Sequence, residues 1–270
     1  MTAFHMTCER DNPETAKLFL EFSKESDAID LDARFDEGLT AFLHACENGC
    51  SETVKVLLDF SKENEAIDLN ATDDNGGTAF YLACENGCTE TVKVLLDFSK
   101  ENDAIDPNAG NKSLLIRKGW TPFHVACFLG KTEIVKLILD FSQETDAIDL
   151  NTRTTSGSYT AFLLACRNSR DHPKTVKLLL DFSQGSDAID LVARDHFGST
   201  AFHLACKKGS TETVKVLLDF SKENDAIDLN ARDVSGWTGL QWACQYDQIE
   251  TIKVILHFLQ ENDSIGNVQH

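Results

Sequence analysis

Nine Cys, eight His and a surplus of acids are what this 270-residue chain offers for chemistry. Thiols and imidazoles at short spacing could hold zinc, and a convergent acid, base or nucleophile cluster could catalyse. Their spacing points elsewhere. Seven of the Cys (Cys8, Cys46, Cys84, Cys127, Cys166, Cys206 and Cys244) each end a copy of one heptapeptide, such as "TAFLHAC" from Thr40 or "TAFHLAC" from Thr200. The Thr that opens each copy recurs at positions 2, 40, 78, 121, 160, 200 and 238. Helices that stack lie about 8–10 Å apart, whereas a disulfide needs Cα atoms within about 7 Å. Neighbouring Cys are therefore not expected to bridge. They read as small buried residues in a reducing compartment, the cytosol or alternatively the nucleus.

Cys50 and Cys88 follow Cys46 and Cys84 by four residues, beyond a Gly, but no further metal ligand recurs with them. His44, His172, His196, His257 and His270 share no register; His5, His124 and His203 do, which suits a structural hydrogen bond. GxxxxGK[ST], HExxH, GxSxG and GxGxxG are missing from the sequence. No catalytic residue, metal site or cofactor is expected, and the chain reads as a non-enzyme.

A repeat near 38 residues overrides any domain count based on length. The expectation is a single array over 1-270, with repeats at about 1-31, 32-69, 70-107, 108-150, 151-191, 192-229 and 230-270. The net charge is −19, from 25 Lys+Arg against 44 Asp+Glu. Nucleic acid is not an expected partner, because phosphates need clustered cations. A basic patch on another protein is the expected electrostatic match. The N-terminus lacks a signal-peptide layout, and no apolar run approaches the roughly 18 residues of a membrane span.

One unit, Thr78 to Ala109, shows what the repeat builds. Thr78 is a helix N-cap, with Phe80, Ala83 and Cys84 following at helical spacing and Gly87 as the stop. Thr89 and Glu90 start a second helix whose apolar stripe is Val92, Leu95, Leu96 and Phe98. Asn, Asp and Gly then make a turn into the next unit. Each such unit has too little core alone and must stack on its neighbours.

The stretch "ARDHFGSTAFHLACKKGSTETVKVLLDF", Ala193 to Phe220, resembles the ankyrin repeat along its length. Its Asp, Gly, Thr, His, small pair, Gly and Val-x-x-Leu-Leu fall at the family's places. The resemblance covers seven units and implies an all-α ankyrin-repeat solenoid, helix-turn-helix units joined by β-hairpin-like fingers. Each unit exceeds the family's 33 residues by about five, through "FSKEN"-type extensions. The resemblance also implies that finger tips and the two residues after "AC" line a concave binding face. Asn at the place of Asn70, Asn108, Asn151 and Asn230 can be hydroxylated in the family, so these are the implied modification sites.

Variation between repeats concentrates at those surface positions. Phe35, Phe128, Phe197, Tyr159, Trp120, Trp237 and Tyr246 all fall there, with Leu129, His196 and the insertion "SLLIRKGW" that adds Leu114, Leu115, Ile116 and Arg117. An apolar, aromatic and Arg-bearing strip is the composition of a binding hot spot. The leading expectation is an adaptor or scaffold that binds another protein through this strip. The alternative is a regulatory or inhibitory subunit, or the ankyrin part of a larger receptor or channel. The array opens at "MTAF" with no finger before it, so Phe4 and Leu18 are expected to be poorly covered, and self-association through the first repeat is a further expectation.

Overall fold

A computed structural model describes residues 1–26, 28–64, 66–102, 104–111, 117–185 and 188–266. Among them are fourteen α-helices, and the only regular β contact is an isolated bridge between Phe35 and Leu39. The chain forms two compact units, Met1–Ala126 with Glu133–Asp149, and Cys127–Thr132 with Leu150–His270.

The first unit holds α1 (Ala3–Glu9), α2 (Pro13–Glu25), α3 (Ala41–Asn48), α4 (Ser51–Asn64), α5 (Ala79–Asn86), α6 (Thr89–Glu101) and most of α7 (Pro122–Leu129) and α8 (Thr132–Thr145). The second holds α9 (Ala161–Arg167), α10 (Pro173–Gly185), α11 (Ala201–Lys208), α12 (Thr211–Ser221), α13 (Gly239–Gln245) and α14 (Ile249–Gly266). Short first helices pack on one another, α3 on α1 and α5, and α11 on α9 and α13. The longer second helices do the same, α4 on α2 and α6, and α12 on α10 and α14.

The repeated heptapeptide supplies both the cap and the core. The Thr40, Thr78, Thr160 and Thr238 hydroxyls accept the N–H three residues on, at 3.3 to 3.4 Å. This satisfies a donor that the first turn leaves without a helical partner. Phe42, Phe80 and Phe162 follow two residues after their Thr, as Phe202 does after Thr200, and are buried, as are Cys46, Cys84, Cys166 and Cys206. Cys244, expected with them, is exposed: among the described residues no further first helix covers α13 on that side. Of the two residues expected to be poorly covered at the start, Phe4 is buried and Leu18 is exposed.

The turn between the helices is left-handed, with Gly49, Gly87 and Gly209 at φ near 75°, 81° and 69°. An L side chain rarely adopts that conformation. Three repeats place Asp there instead, Asp11 at φ 47°, Asp171 at φ 54° and Asp247 at φ 52°. In the first two, Pro follows two residues later and opens the second helix, in "RDNP" and "RDHP". The exchange gains a carboxylate that reaches the next repeat. Asp11 accepts from Thr53 N–H at 2.9 Å. Asp171 accepts from the N–H groups of Glu212 at 2.8 Å and Thr213 at 3.0 Å, and from the Thr213 hydroxyl at 2.7 Å.

The "FSKEN" extension has a comparable job. Lys24 lies 5.2 Å from the Phe60 ring and 3.8 Å from Glu63 of the next repeat. Lys62 repeats this on Phe98 at 5.1 Å and Glu101 at 2.9 Å, and Lys100 on Phe141 at 5.8 Å and Glu144 at 2.6 Å. In the second unit Lys222 covers Phe258 at 5.3 Å. Each ion pair is exposed and worth little alone. The methylene stem of the Lys over a buried ring, as on Phe98 and Phe141, or a half-buried one, as on Phe60 and Phe258, carries the rest.

Candidate protein-recognition surface

The fingers are tight turns rather than paired strands. Asp73, Asp195 and Asp233 each take the N–H four residues on, from Gly77 at 2.7 Å, Ser199 at 2.8 Å and Trp237 at 3.0 Å. Successive fingers are tied by Arg side chains. Arg34 donates to the Gly38 carbonyl and to Thr72 of the next finger, and Arg194 donates to Gly198 and to Arg232. The implied modification sites are partly engaged in the same way. The side-chain amides of Asn70, Asn108 and Asn151 donate to the carbonyls of Ala104, Ala147 and Ala188, each at 2.7 or 2.8 Å. Asn230 is exposed.

In the first unit Phe35 sits between two imidazoles, 5.8 Å from His5 and 6.5 Å from His44. Trp120 is buried, so its ring supports the surface rather than forming it. Arg117 lies 5.4 Å from that ring and forms an ion pair with Glu85. Leu114, Leu115 and Ile116 lie outside the described residues.

The second unit brings the remaining aromatics together. Trp237 and Trp242 are 4.9 Å apart, and Tyr246 is 5.9 Å beyond Trp242. Lys207 lies 4.1 Å from the Trp242 ring and 5.4 Å from Tyr246. Phe197 is exposed, with its ring 3.7 Å from that of His196. Tyr159 is buried under the Arg167 guanidinium, 4.6 Å from its ring. Burial pushes the Tyr159 hydroxyl pKa up. Phe128 and Leu129 are half-buried, and the Phe128 carbonyl accepts from the Asn168 amide.

Between these groups is a cleft of about 350 Å³, lined by Tyr159, Arg167, Asp195, Phe197, Lys207 and Trp242 among others. At its floor Asp233 accepts from Ser235 N–H at 2.8 Å, from Trp237 N–H and from the Trp242 indole N–H at 2.7 Å. Burial alone would raise the Asp233 pKa, but those hydrogen bonds outweigh it and hold the carboxyl below its ordinary range. The carboxylate therefore stays ionised and fixes the indole.

Trp242, Arg167, Lys207 and Lys208 were missed by the aromatic reading of the sequence. Three of the four occupy the two places after "AC", which had already been marked as variable. Their cationic type, rather than their position, kept them out. The in-register His behave as the sequence suggested. The His203 Nδ1 accepts from Thr200 N–H and hydroxyl at 3.2 and 2.8 Å, and its Nε2 donates to the Trp237 carbonyl at 2.9 Å. His5 does the same with Thr2 and the Leu39 carbonyl. Cys50 and Cys88 also have a plain role. Each thiol points at a carbonyl of the preceding repeat, Glu9 or Glu47, at 3.4 Å, and Ser210 does this with its hydroxyl to Asn168 at 3.0 Å. Among the described residues no group of three or more His, Cys, Asp or Glu could hold a metal ion, and no helix is long and apolar enough to cross a membrane.

Within each unit, stacked helix pairs joined by fingers define a helical repeat scaffold. The family model described as ankyrin repeats (3 copies) matches residues 4–111, 61–154, 102–190 and 164–265. The chain belongs to the ankyrin repeat family, whose repeats are generally protein-interaction modules. No curated protein matches it. Among solved structures it is similar to the ankyrin repeat domain of human ASB11, at 20% identity and a TM-score of 0.66, covering 94% of this chain and 97% of that one. It is also similar to the ankyrin repeat domain of Bcl-3, a member of the IkappaB protein family, at 20% identity and a TM-score of 0.71, covering 94% and 98%. Likeness at this identity concerns the fold.

Proposed function

We propose that the chain is an adaptor or scaffold that recognises another protein non-covalently. The observation that carries this is the aromatic shelf of Trp237, Trp242 and Tyr246 with Lys207 on its face and Phe197 exposed near it. Exposed aromatics beside cations are what binding hot spots are made of, and the repeat core does not need Phe197 or Tyr246 for its own packing. The test is quantitative capture from cell lysate, comparing wild type with a Phe197→Ala, Trp237→Ala, Tyr246→Ala variant of unchanged melting temperature. A protein held by wild type and lost by the variant is the expected result. Identical captures would remove this surface from the function.

A further inference from the structure

We propose that the cleft of the second unit takes an acidic peptide segment, one that carries Asp or Glu beside an apolar or aromatic side chain. This rests on the recognition reading above and adds the chemistry of the partner. The bulk charge of −19 argues for a basic partner, but the cleft inverts that sign locally. Its lining holds three cations, Arg167, Lys207 and Lys208, against two carboxylates, Asp195 and Asp233. The two kinds of charge are not equally available. Asp195 is occupied by the N–H groups of Phe197 and Ser199, and Asp233 by Ser235, Trp237 and the Trp242 indole. Both carboxylates are buried. The three cations, by contrast, form no ion pair among the described residues. Arg167 and Lys207 are half-buried and are held over aromatic faces, at 4.6 Å from Tyr159 and 4.1 Å from Trp242.

A cation parked on a ring keeps its N–H donors while losing much of its side-chain freedom. It is therefore set to receive a carboxylate at reduced entropic cost, and the aromatic wall offers contact to the apolar neighbour of that carboxylate. The sequence carries the same contrast. The residue after the heptapeptide Cys is Glu9, Glu47 and Glu85 in the first three repeats, but Arg167 and Lys207 in the fifth and sixth. A cleft of about 350 Å³ sits at the small end of the range for ligand pockets, about 300–1,000 Å³. That suits one or two anchoring side chains rather than a folded surface. Three cations in a strongly acidic chain are too few to hold a polyphosphate backbone in preference to a carboxylate peptide.

An array of random twelve-residue peptides, probed with the whole purified chain, tests this directly. The expected result is enrichment of Asp and Glu next to Phe, Leu or Trp. Lys207→Glu with Lys208→Glu should weaken the best acidic peptide by at least about tenfold, while Lys55→Glu in the first unit leaves it unchanged. Lys207→Arg should retain binding. Enrichment of basic or neutral peptides would overturn the proposal, as would tighter binding of a single-stranded oligonucleotide than of any acidic peptide in solution. If the aromatic variant loses a lysate partner but charge reversal does not change peptide choice, the recognition surface stands and the acidic partner falls.

Discussion

Asp171 offers the sharpest stability test. It occupies a left-handed turn at φ 54° and accepts three hydrogen bonds from the start of the next repeat's second helix. One donor is the hydroxyl of Thr213, which is 1% exposed. Replacing Asp171 with Ala removes a helix cap worth about 1 kcal/mol and strips the acceptor from a buried hydroxyl, about 1–3 kcal/mol. It also leaves the Cβ that Asp already places in this left-handed turn without the short polar group that makes Asp tolerable there, about 1 kcal/mol. The expected loss is about 3–5 kcal/mol for Asp171→Ala. Asp171→Gly relieves the turn but not the cap, about 2–4 kcal/mol. Asp171→Asn keeps one acceptor and tolerates the turn, about 1 kcal/mol. Thermal melts followed by circular dichroism should rank the variants Asn, Gly, Ala, with Ala lower than wild type by roughly 6–20 °C. Hydrogen exchange should quicken at Glu212 and Thr213 in the Ala variant. Equal melts for Ala and wild type, or Gly matching Asn, would falsify the capping role.

Three other outcomes are expected. Phe202→Ala should cost about 3–5 kcal/mol as a core truncation, whereas Phe197→Ala should leave the melt within about 0.5 kcal/mol of wild type; similar losses at both would contradict the division between core and surface. Burial lowers the His203 pKa, so the native ring is neutral while the unfolded one titrates at its ordinary value of 6.5. The unfolded chain then binds more protons below that value, so stability is full above about pH 6.5 and is lost as the pH falls towards the folded pKa. Gln241 closes the same capping box on Thr238, so His203→Gln should keep the cap and show a smaller melting loss between pH 7.5 and 5.5. An unchanged loss would place the titration elsewhere. Burial pushes the Cys8 thiol to about 12 and those of Cys46, Cys84, Cys166 and Cys206 well up. A thiol-reactive dye at neutral pH should therefore label exposed Cys244 first, and rapid native labelling of the buried five would refute that packing.

The helices and caps were legible because repetition makes them so. Thr at the cap, Phe two residues on and Cys six residues on recur in one register, and only one side of a short helix can hold them all. The surface was less legible, since period fixes a residue's place but not the direction of its side chain. Tyr159 and Trp120 share the finger position of Trp237, yet both are buried; the Tyr159 ring lies over Gly157, where a Cβ would come within 2.3 Å of it. The role of Asp11 and Asp171 was hidden for another reason. Their partners lie 41 or 42 residues away, beyond the reach of any local pattern.

The Lys–Phe–Glu brace also bears on how such a chain can change length. Every 38-residue stretch that carries Lys62 to grip the next repeat also carries Phe60 and Glu63 to be gripped by the last one. A segment duplicated in register arrives with both halves of its connections, and a segment deleted in register leaves its neighbours able to join. The stretches Thr89–Asp106 and Thr211–Asp228 are identical in sequence, as recent copying would leave them. Gene conversion or unequal crossing-over can thus move such units without inventing an interface, leaving the finger tips and the places after "AC" as the ground on which copies diverge.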